Sequence, residues 1–377
     1  MSVSRRDAVL STLAITASAM LPEKAAQAQP SDEHTTAAEA NVAAGSLLSL
    51  DEYEQAARAK VDPVSWEYIE GGAADEITVR WNREAYRGIK LVPRHLNDVS
   101  KIDTRVRLLG HDLAHPILLA PTACHKLAHS EGEIATARGA HDANAGMVLS
   151  SYSTVPVEQV AVVKPPLLWF QLYVQDRPYT VDLIKRAAAA GCSAMCVTID
   201  TPIGGPRNRQ ERAGFKFPNG LPHISGNSIE HPLTWRDLQW IRGASSMPIL
   251  LKGVLHPDDA ERGIAEGAAG IMVSNHGGRN LDTAISTIEA LPRIADRVRG
   301  RVPVIVDGGI RRGTDVLKAL ANGADAVMVG RPYVHGLAVA GAAGVTAVIN
   351  ILRRELEMAM ALTGKPTLAS IDRSLLA

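Results

Sequence analysis

The sequence predicts an α/β fold, a (β/α)8 barrel of the TIM type with an N-terminal helical cap. Three observations predict it. Eight short apolar runs recur after residue 115, most of the stretches between them carry amphipathic helical patterns, and every run ends in a polar residue or a glycine. Strand–helix alternation gives a parallel sheet, and a count of eight favours closure into a barrel over a doubly wound sheet.

The first run is Pro116–Ala120. Gly146–Leu149, Leu167–Phe170, Ala194–Ile199, Pro248–Leu251, Gly270–Val273, Val302–Val306 and Ala326–Val329 follow. Glu131–His141 and Val181–Ala190 are examples of the intervening helical patterns. Upstream, residues 47–110 read as the helical cap. Ser49 is placed as an N-cap with Glu52 three residues on, and Gly71-Gly72 interrupts a second helical pattern. Residues 111–377 are assigned to the barrel.

The first residues read as a targeting segment. Arg5-Arg6 precede the uncharged run Ala8–Leu21, and Ala26-Gln27-Ala28 offers a cleavage site. Residues 1–28 are therefore expected to be a signal peptide, with residues 29–46 a polar, alanine-rich linker. Ser4–Val9 resembles a twin-arginine signal, which implies export to the periplasm or beyond. No later stretch suggests a membrane span.

Lys plus Arg and Asp plus Glu balance at 40 each in 377 residues, so charge gives no case for a nucleic-acid partner or an anionic membrane surface. Cys124, Cys192 and Cys196 have neither disulfide-framework nor metal-ligand spacing, and no metal is expected. Cys192 and Cys196 read as small apolar packing residues. A reactive role for Cys124 stays open.

Barrel active sites lie at the C-terminal strand ends, so the residues there are the candidates. The sixth run ends in Ser274-Asn275-His276-Gly277-Gly278-Arg279. The glycines free the backbone for a close approach. His276 can exchange a proton near neutral pH, and Arg279 can grip a carboxylate in a bidentate fork. The last two runs end in Asp307-Gly308-Gly309-Ile310-Arg311-Arg312-Gly313 and Gly330-Arg331-Pro332, where barrels commonly bind phosphate. With no dinucleotide fingerprint, that phosphate belongs to a mononucleotide cofactor or a phosphorylated substrate. Lys252 ends the fifth run. It either faces an anionic ligand such as a reduced flavin or pairs with a neighbouring carboxylate.

From about Leu47 to about Leu375 the chain resembles the FMN-dependent 2-hydroxy-acid oxidases and dehydrogenases. The residues from Ser274 to Asp282 match the family signature, with Asn280 where glutamine is usual. Pro121-Thr122-Ala123, Gln171-Leu172-Tyr173 and the run from Asp307 to Gly313 match in order and spacing. The resemblance implies His276 as the catalytic base, Asp200 as its carboxylate partner, and Tyr173 near the substrate hydroxyl. It implies Arg279, Arg207 and Tyr68 on the substrate carboxylate, and Tyr152 against the substrate side chain. FMN is implied to contact Pro121, Thr122, Ala123, Ser150, Gln171, Thr198, Lys252 and Ser274, with its phosphate held by the turns at Asp307–Arg311 and Gly330-Arg331.

A second-type isopentenyl diphosphate isomerase would share the phosphate site but has no need of paired carboxylate-binding arginines. A non-catalytic ligand-binding relic would be expected to have lost His276 or an arginine. The expected reaction is oxidation of a small L-2-hydroxy acid, L-lactate first and mandelate-like acids second. The electron acceptor is O2 in an oxidase, and a quinone or cytochrome in a dehydrogenase. Ala123 leans towards the oxidase. Family resemblance also implies a homo-oligomer, a tetramer.

Overall fold

The computed structural model describes residues 45–225 and 232–377, so the expected signal peptide and most of the linker lie outside the described residues. Eight strands form a closed, all-parallel barrel. They are β3 (Ile117–Leu119), β4 (Met147–Ser150), β5 (Leu168–Leu172), β6 (Met195–Thr198), β7 (Ile249–Val254), β8 (Gly270–Val273), β9 (Val304–Asp307) and β10 (Ala326–Val329). β10 closes onto β3 with Val327 opposite Ile117. Each of the eight expected runs contains the core of one strand.

Among the described residues, α1 (Leu50–Lys60), α2 (Pro63–Glu70) and α3 (Ile77–Gly88) precede the barrel. The Ser49 hydroxyl accepts from the Glu52 amide, as expected of an N-cap, and the Glu52 carboxylate accepts from the Ser49 hydroxyl and the Leu48 amide. α2 stops at Gly71. The rest of the segment read as helical cap is not helical. Residues 89–105 carry no helix or strand beyond isolated bridges, and β1 (Val106–Leu108) pairs antiparallel with β2 (His111–Leu113) across residue 110, the expected cap–barrel boundary. The physical reason is burial. Leu108 and Leu113 pack into one cluster with inward residues of the barrel strands, Leu118, Trp169, Leu250 and Ile305 among them, so the hairpin plugs the barrel.

The outer layer includes α4 (Glu133–Asp142), α5 (Val157–Ala161), α6 (Arg177–Ala189), α7 (Asn208–Arg212), α8 (Asp237–Gly243), α9 (Pro257–Ala265), α10 (Thr287–Val298), α11 (Gly313–Ala321) and α12 (Arg331–Leu362). α12 is long and apolar enough to cross a membrane by length and composition. However, 67% of its apolar window is buried in the protein, and its helical geometry breaks at Ala340 and Gly341. Its apolar face covers α1 and α4 and belongs to the core.

Candidate active site

The pleat of the barrel strands builds the site. Side chains alternate in and out along each strand. Leu118, Val148, Trp169, Cys196, Leu250, Met272, Ile305 and Met328 share the inner apolar cluster. Two residues further along each strand direction stand Ala120, Ser150, Gln171, Thr198, Lys252, Ser274, Asp307 and Gly330. This next layer is polar in six of its eight positions. Ser150 Oγ donates to Gln171 Oε1 at 3.1 Å, and Gln171 Nε2 to Thr198 Oγ1 at 2.9 Å. Across the barrel, Lys252 Nζ donates to Ser274 Oγ at 3.1 Å, and Ser274 Oγ to Asp307 Oδ2 at 2.9 Å. Lys252 therefore lines the cavity and also pairs with a carboxylate, its Nζ 3.7 Å from Asp307.

Above this layer lies a cavity of about 650 Å³, within the usual range for cofactor sites. Of the residues expected at the site, all except Asp200 and Ser274 line it. Those two stand behind residues that do.

His276 Nδ1 lies 3.1 Å from Asp200 Oδ1, and His276 Nε2 lies 3.1 Å from the Tyr173 hydroxyl. An anionic Asp200 accepts the Nδ1 proton, which leaves the Nε2 lone pair facing Tyr173. Burial pushes the His276 pKa below its ordinary 6.5. Lys252 adds to that, and Asp200 opposes it. Burial raises the Asp200 carboxyl, but His276 and Lys252 outweigh it and hold the group below the usual range. His276 adopts left-handed backbone, φ 58°, which costs a non-glycine residue free energy and is typical of functional positions. A Cβ on Gly278 would lie 2.8 Å from the Val79 amide nitrogen. The close approach that the sequence suggested is thus to α3.

Arg279 is half-buried, and desolvation pushes its pKa down to about 10. Its Nη1 donates to the carbonyls of Tyr68 (2.8 Å) and Gly71 (2.6 Å), and its guanidinium carbon sits 5.0 Å from the centre of the Tyr68 ring. The cap segment therefore fixes this arginine. Arg207 donates to Asn280 Oδ1 at 3.3 Å, while Asn280 Nδ2 donates to the Asp200 carbonyl at 3.0 Å. Tyr152 stands edge-on to Tyr173, with ring centres 5.7 Å apart.

Arg311 and Arg331 add two more cations to the cavity wall, and Arg331 shares the Gly71 carbonyl with Arg279. Burial pushes both pKa values down to about 10. Arg331 is held by the carbonyls of Ile69, Gly71 and Gly277. Arg311 Nη1 donates to the Ile310 carbonyl, whereas its buried Nε has no partner among the described residues. Asp307 Oδ1 is likewise buried without one. Unsatisfied buried groups in a cavity wall fit a bound polar ligand. Gly309 lines the cavity while its Cα side packs against Asn82, leaving no room for a Cβ. Glycine turns with two guanidinium groups, a layer of polar side chains and Lys252 on the wall suit a mononucleotide flavin.

Cys124 is buried and donates to the Tyr152 carbonyl, and burial pushes its thiol up to about 12. That removes the thiolate a reactive cysteine needs.

Sequence reasoning missed Asn82, Arg83, Phe217 and Gln210, which also line the cavity. Asn82 exchanges a reciprocal pair of amide hydrogen bonds, 2.9 and 2.8 Å, with Asn275. Their 193-residue separation gave no local signal. Asn275, inside the His276 motif, was the only hint.

The chain matches the FMN-dependent dehydrogenase family over residues 57–377. It is 47% identical over 361 residues to the L-lactate oxidase of Nostoc sp., covering 89% of this chain and 99% of that enzyme. It is 44% identical over 351 residues to glycolate oxidase 1 of Zea mays, covering 87% and 95%. Among solved structures, a mandelate oxidase variant with (S)-mandelic acid superposes with a TM-score of 0.84 at 39% identity, covering 88% of this chain and 98% of that one.

Proposed function

Because the chain belongs to the FMN-dependent dehydrogenase family, we propose that this barrel oxidises L-lactate to pyruvate and passes the electrons to O2, giving hydrogen peroxide. Its coarser activity is that of its relatives: it is an FMN enzyme that oxidises a 2-hydroxy acid. One observation carries the reading. The chain Tyr173 Oη, His276 Nε2 and Nδ1, Asp200 Oδ1 stands beside two arginines, Arg207 and Arg279, in one cavity.

Arg279 and Arg207 hold the substrate carboxylate and so orient the α-carbon. Neutral His276 takes the hydroxyl proton at Nε2, and Asp200 stabilises the imidazolium that forms. Tyr173 positions the hydroxyl. FMN, when bound, supplies the two-electron acceptor. Lys252 lines the same wall and would be among the residues that hold FMN. The aromatic wall at Tyr152 and the 47% identity to an L-lactate oxidase support lactate over larger acids.

We also propose that the protein is a homo-oligomer exported in its folded, FMN-loaded state. The test of the reaction is anaerobic mixing of the yellow protein with L-2-hydroxy acids, followed by admission of air. Bleaching by L-lactate and rapid reoxidation with peroxide release are expected. Slow reoxidation by air but fast reoxidation by a quinone would assign the dehydrogenase reaction instead.

A further inference from the structure

The whole chain contains three phenylalanines, and two of them, Phe215 and Phe217, stand just after α7 beside the cavity mouth. Phe215 stacks on Tyr68, ring centres 4.2 Å apart. Phe217 lines the cavity and touches two tyrosines at once, edge-on to Tyr68 at 5.4 Å and tilted against Tyr152 at 4.9 Å. Each tyrosine borders a different part of the site. Tyr68 packs against Arg279, and Tyr152 against Tyr173, whose hydroxyl meets His276.

The α-carbon of a 2-hydroxy acid has four substituents. On the reading above, the carboxylate goes to Arg279 and the hydroxyl to Tyr173 and His276, and the hydrogen must face the oxidant. The remaining substituent is left with the space that Phe217 and Tyr152 bound. We propose that Phe217 is a specificity residue that limits the size of this substituent, so that small aliphatic L-2-hydroxy acids are oxidised in preference to aromatic ones. The proposal rests on the 2-hydroxy-acid reading.

What places Phe217 is the local anchor and not the core. Its side chain is partly open to solvent, 41% exposed. The Phe215 amide donates to the carbonyl of Gln210 in α7. Arg209 in α7 pairs with Glu67 of α2 and with Glu76. A truncation at Phe217 therefore widens the compartment without opening the barrel core.

The test compares Phe217→Ala and Phe217→Leu with the natural protein, using L-lactate, L-2-hydroxybutyrate, L-mandelate and L-3-phenyllactate. FMN content, flavin spectrum and melting temperature serve as folding readouts. In Phe217→Ala the ratio of kcat/KM for the aromatic acids to that for L-lactate should rise about tenfold or more, the scale on which apolar pockets discriminate. Phe217→Leu should fall between, and the folding readouts should not move. An unchanged ratio in Phe217→Ala, or an equal loss for all four acids, overturns the proposal. If the natural protein is reduced by none of the acids, the 2-hydroxy-acid reading fails and the proposal falls with it. Reduction of the natural protein with no change of ratio rejects the role of Phe217 alone.

Discussion

His276 and Asp200 lie 76 residues apart in sequence, yet their Nδ1 and Oδ1 atoms are 3.1 Å apart at the ends of two barrel strands. The contact decides which nitrogen of the ring is basic. Asp200 holds the proton on Nδ1, so Nε2 faces the cavity as an acceptor. Burial and Lys252 keep the ring neutral at neutral pH. The second oxygen of Asp200 is buried without a hydrogen-bond partner among the described residues, so the carboxylate is committed to the histidine.

His276→Ala should keep FMN and lose turnover. Loss of a general base costs ~10²–10⁴-fold, and the ring makes no contact on which Arg311 or Arg331 depends. The measurement is kcat with L-lactate alongside the flavin-to-protein ratio. Turnover near the natural rate would show that the proton leaves by another group.

Asp200→Asn should move the acid limb of the kcat/KM profile. His276 must be neutral to accept a proton, so activity is lost as pH falls through its pKa. That pKa lies below 6.5 in the natural protein because burial and Lys252 outweigh Asp200. Removing the carboxylate removes the one influence that raises it. The limb should shift to still lower pH, while kcat drops because the imidazolium loses its counter-charge. A limb that moves towards higher pH would contradict this account.

Arg279→Lys should raise KM although the charge is kept. A lysine cannot hold the Tyr68 and Gly71 carbonyls and grip a carboxylate at the same time. Hydrogen bonds to charged groups contribute ~1.5–3 kcal/mol, so kcat/KM should fall at least about tenfold. Unchanged steady-state constants would place the carboxylate elsewhere.

The parts of this molecule legible in its sequence are those whose signal is local. Barrel strands are buried on both faces, so each appears as an unbroken apolar run, and the residue that ends the run is the one that meets the cavity. Hence Ser150, Gln171, Lys252, His276 and Asp307 could be picked out. The hairpin at Val106–Leu113 was hidden. Its turn has φ 46° at Leu109 and φ 88° at Gly110, and a leucine is a poor advertisement for left-handed backbone. The contribution of α3 was hidden too, because Asn82, Val79 and the Asp282 cap on Thr78 act across about 200 residues. Lys252 had two readings from sequence, a ligand-facing cation or an ion pair; its side chain lines the cavity with Nζ 3.7 Å from Asp307.

Arg311→Gln should weaken FMN and spare riboflavin. Arg311 carries a buried Nε without a partner among the described residues, in the cavity that the glycine turns also line. Losing a charged donor to a phosphate corresponds to about 10–150-fold in Kd, from the ~1.5–3 kcal/mol such bonds contribute. Flavin fluorescence quenching on the apoprotein measures both ligands. Equal weakening of riboflavin would mean that the change damages the ring site and not a phosphate site.

The folded, FMN-loaded enzyme should be exported. Arg5-Arg6, the uncharged run Ala8–Leu21 and Ala26-Gln27-Ala28 lie outside the described residues, and the chemistry of the cofactor makes their order meaningful. FMN is made in the cytoplasm, so an exported FMN protein either loads it before crossing or captures it afterwards. A twin-arginine route carries folded protein and solves the problem at the first step. The three cysteines are free and buried, so nothing in this barrel needs oxidative folding on the far side of a membrane. The mature chain should start near Gln29 and appear, yellow, in the periplasmic or extracellular fraction. Changing Arg5-Arg6 to two lysines should leave the full-length holoprotein in the cytoplasm. N-terminal sequencing of each fraction reads the outcome. A full-length chain in the cytoplasm of unaltered cells would reject export, and export undisturbed by the two lysines would reject the twin-arginine route.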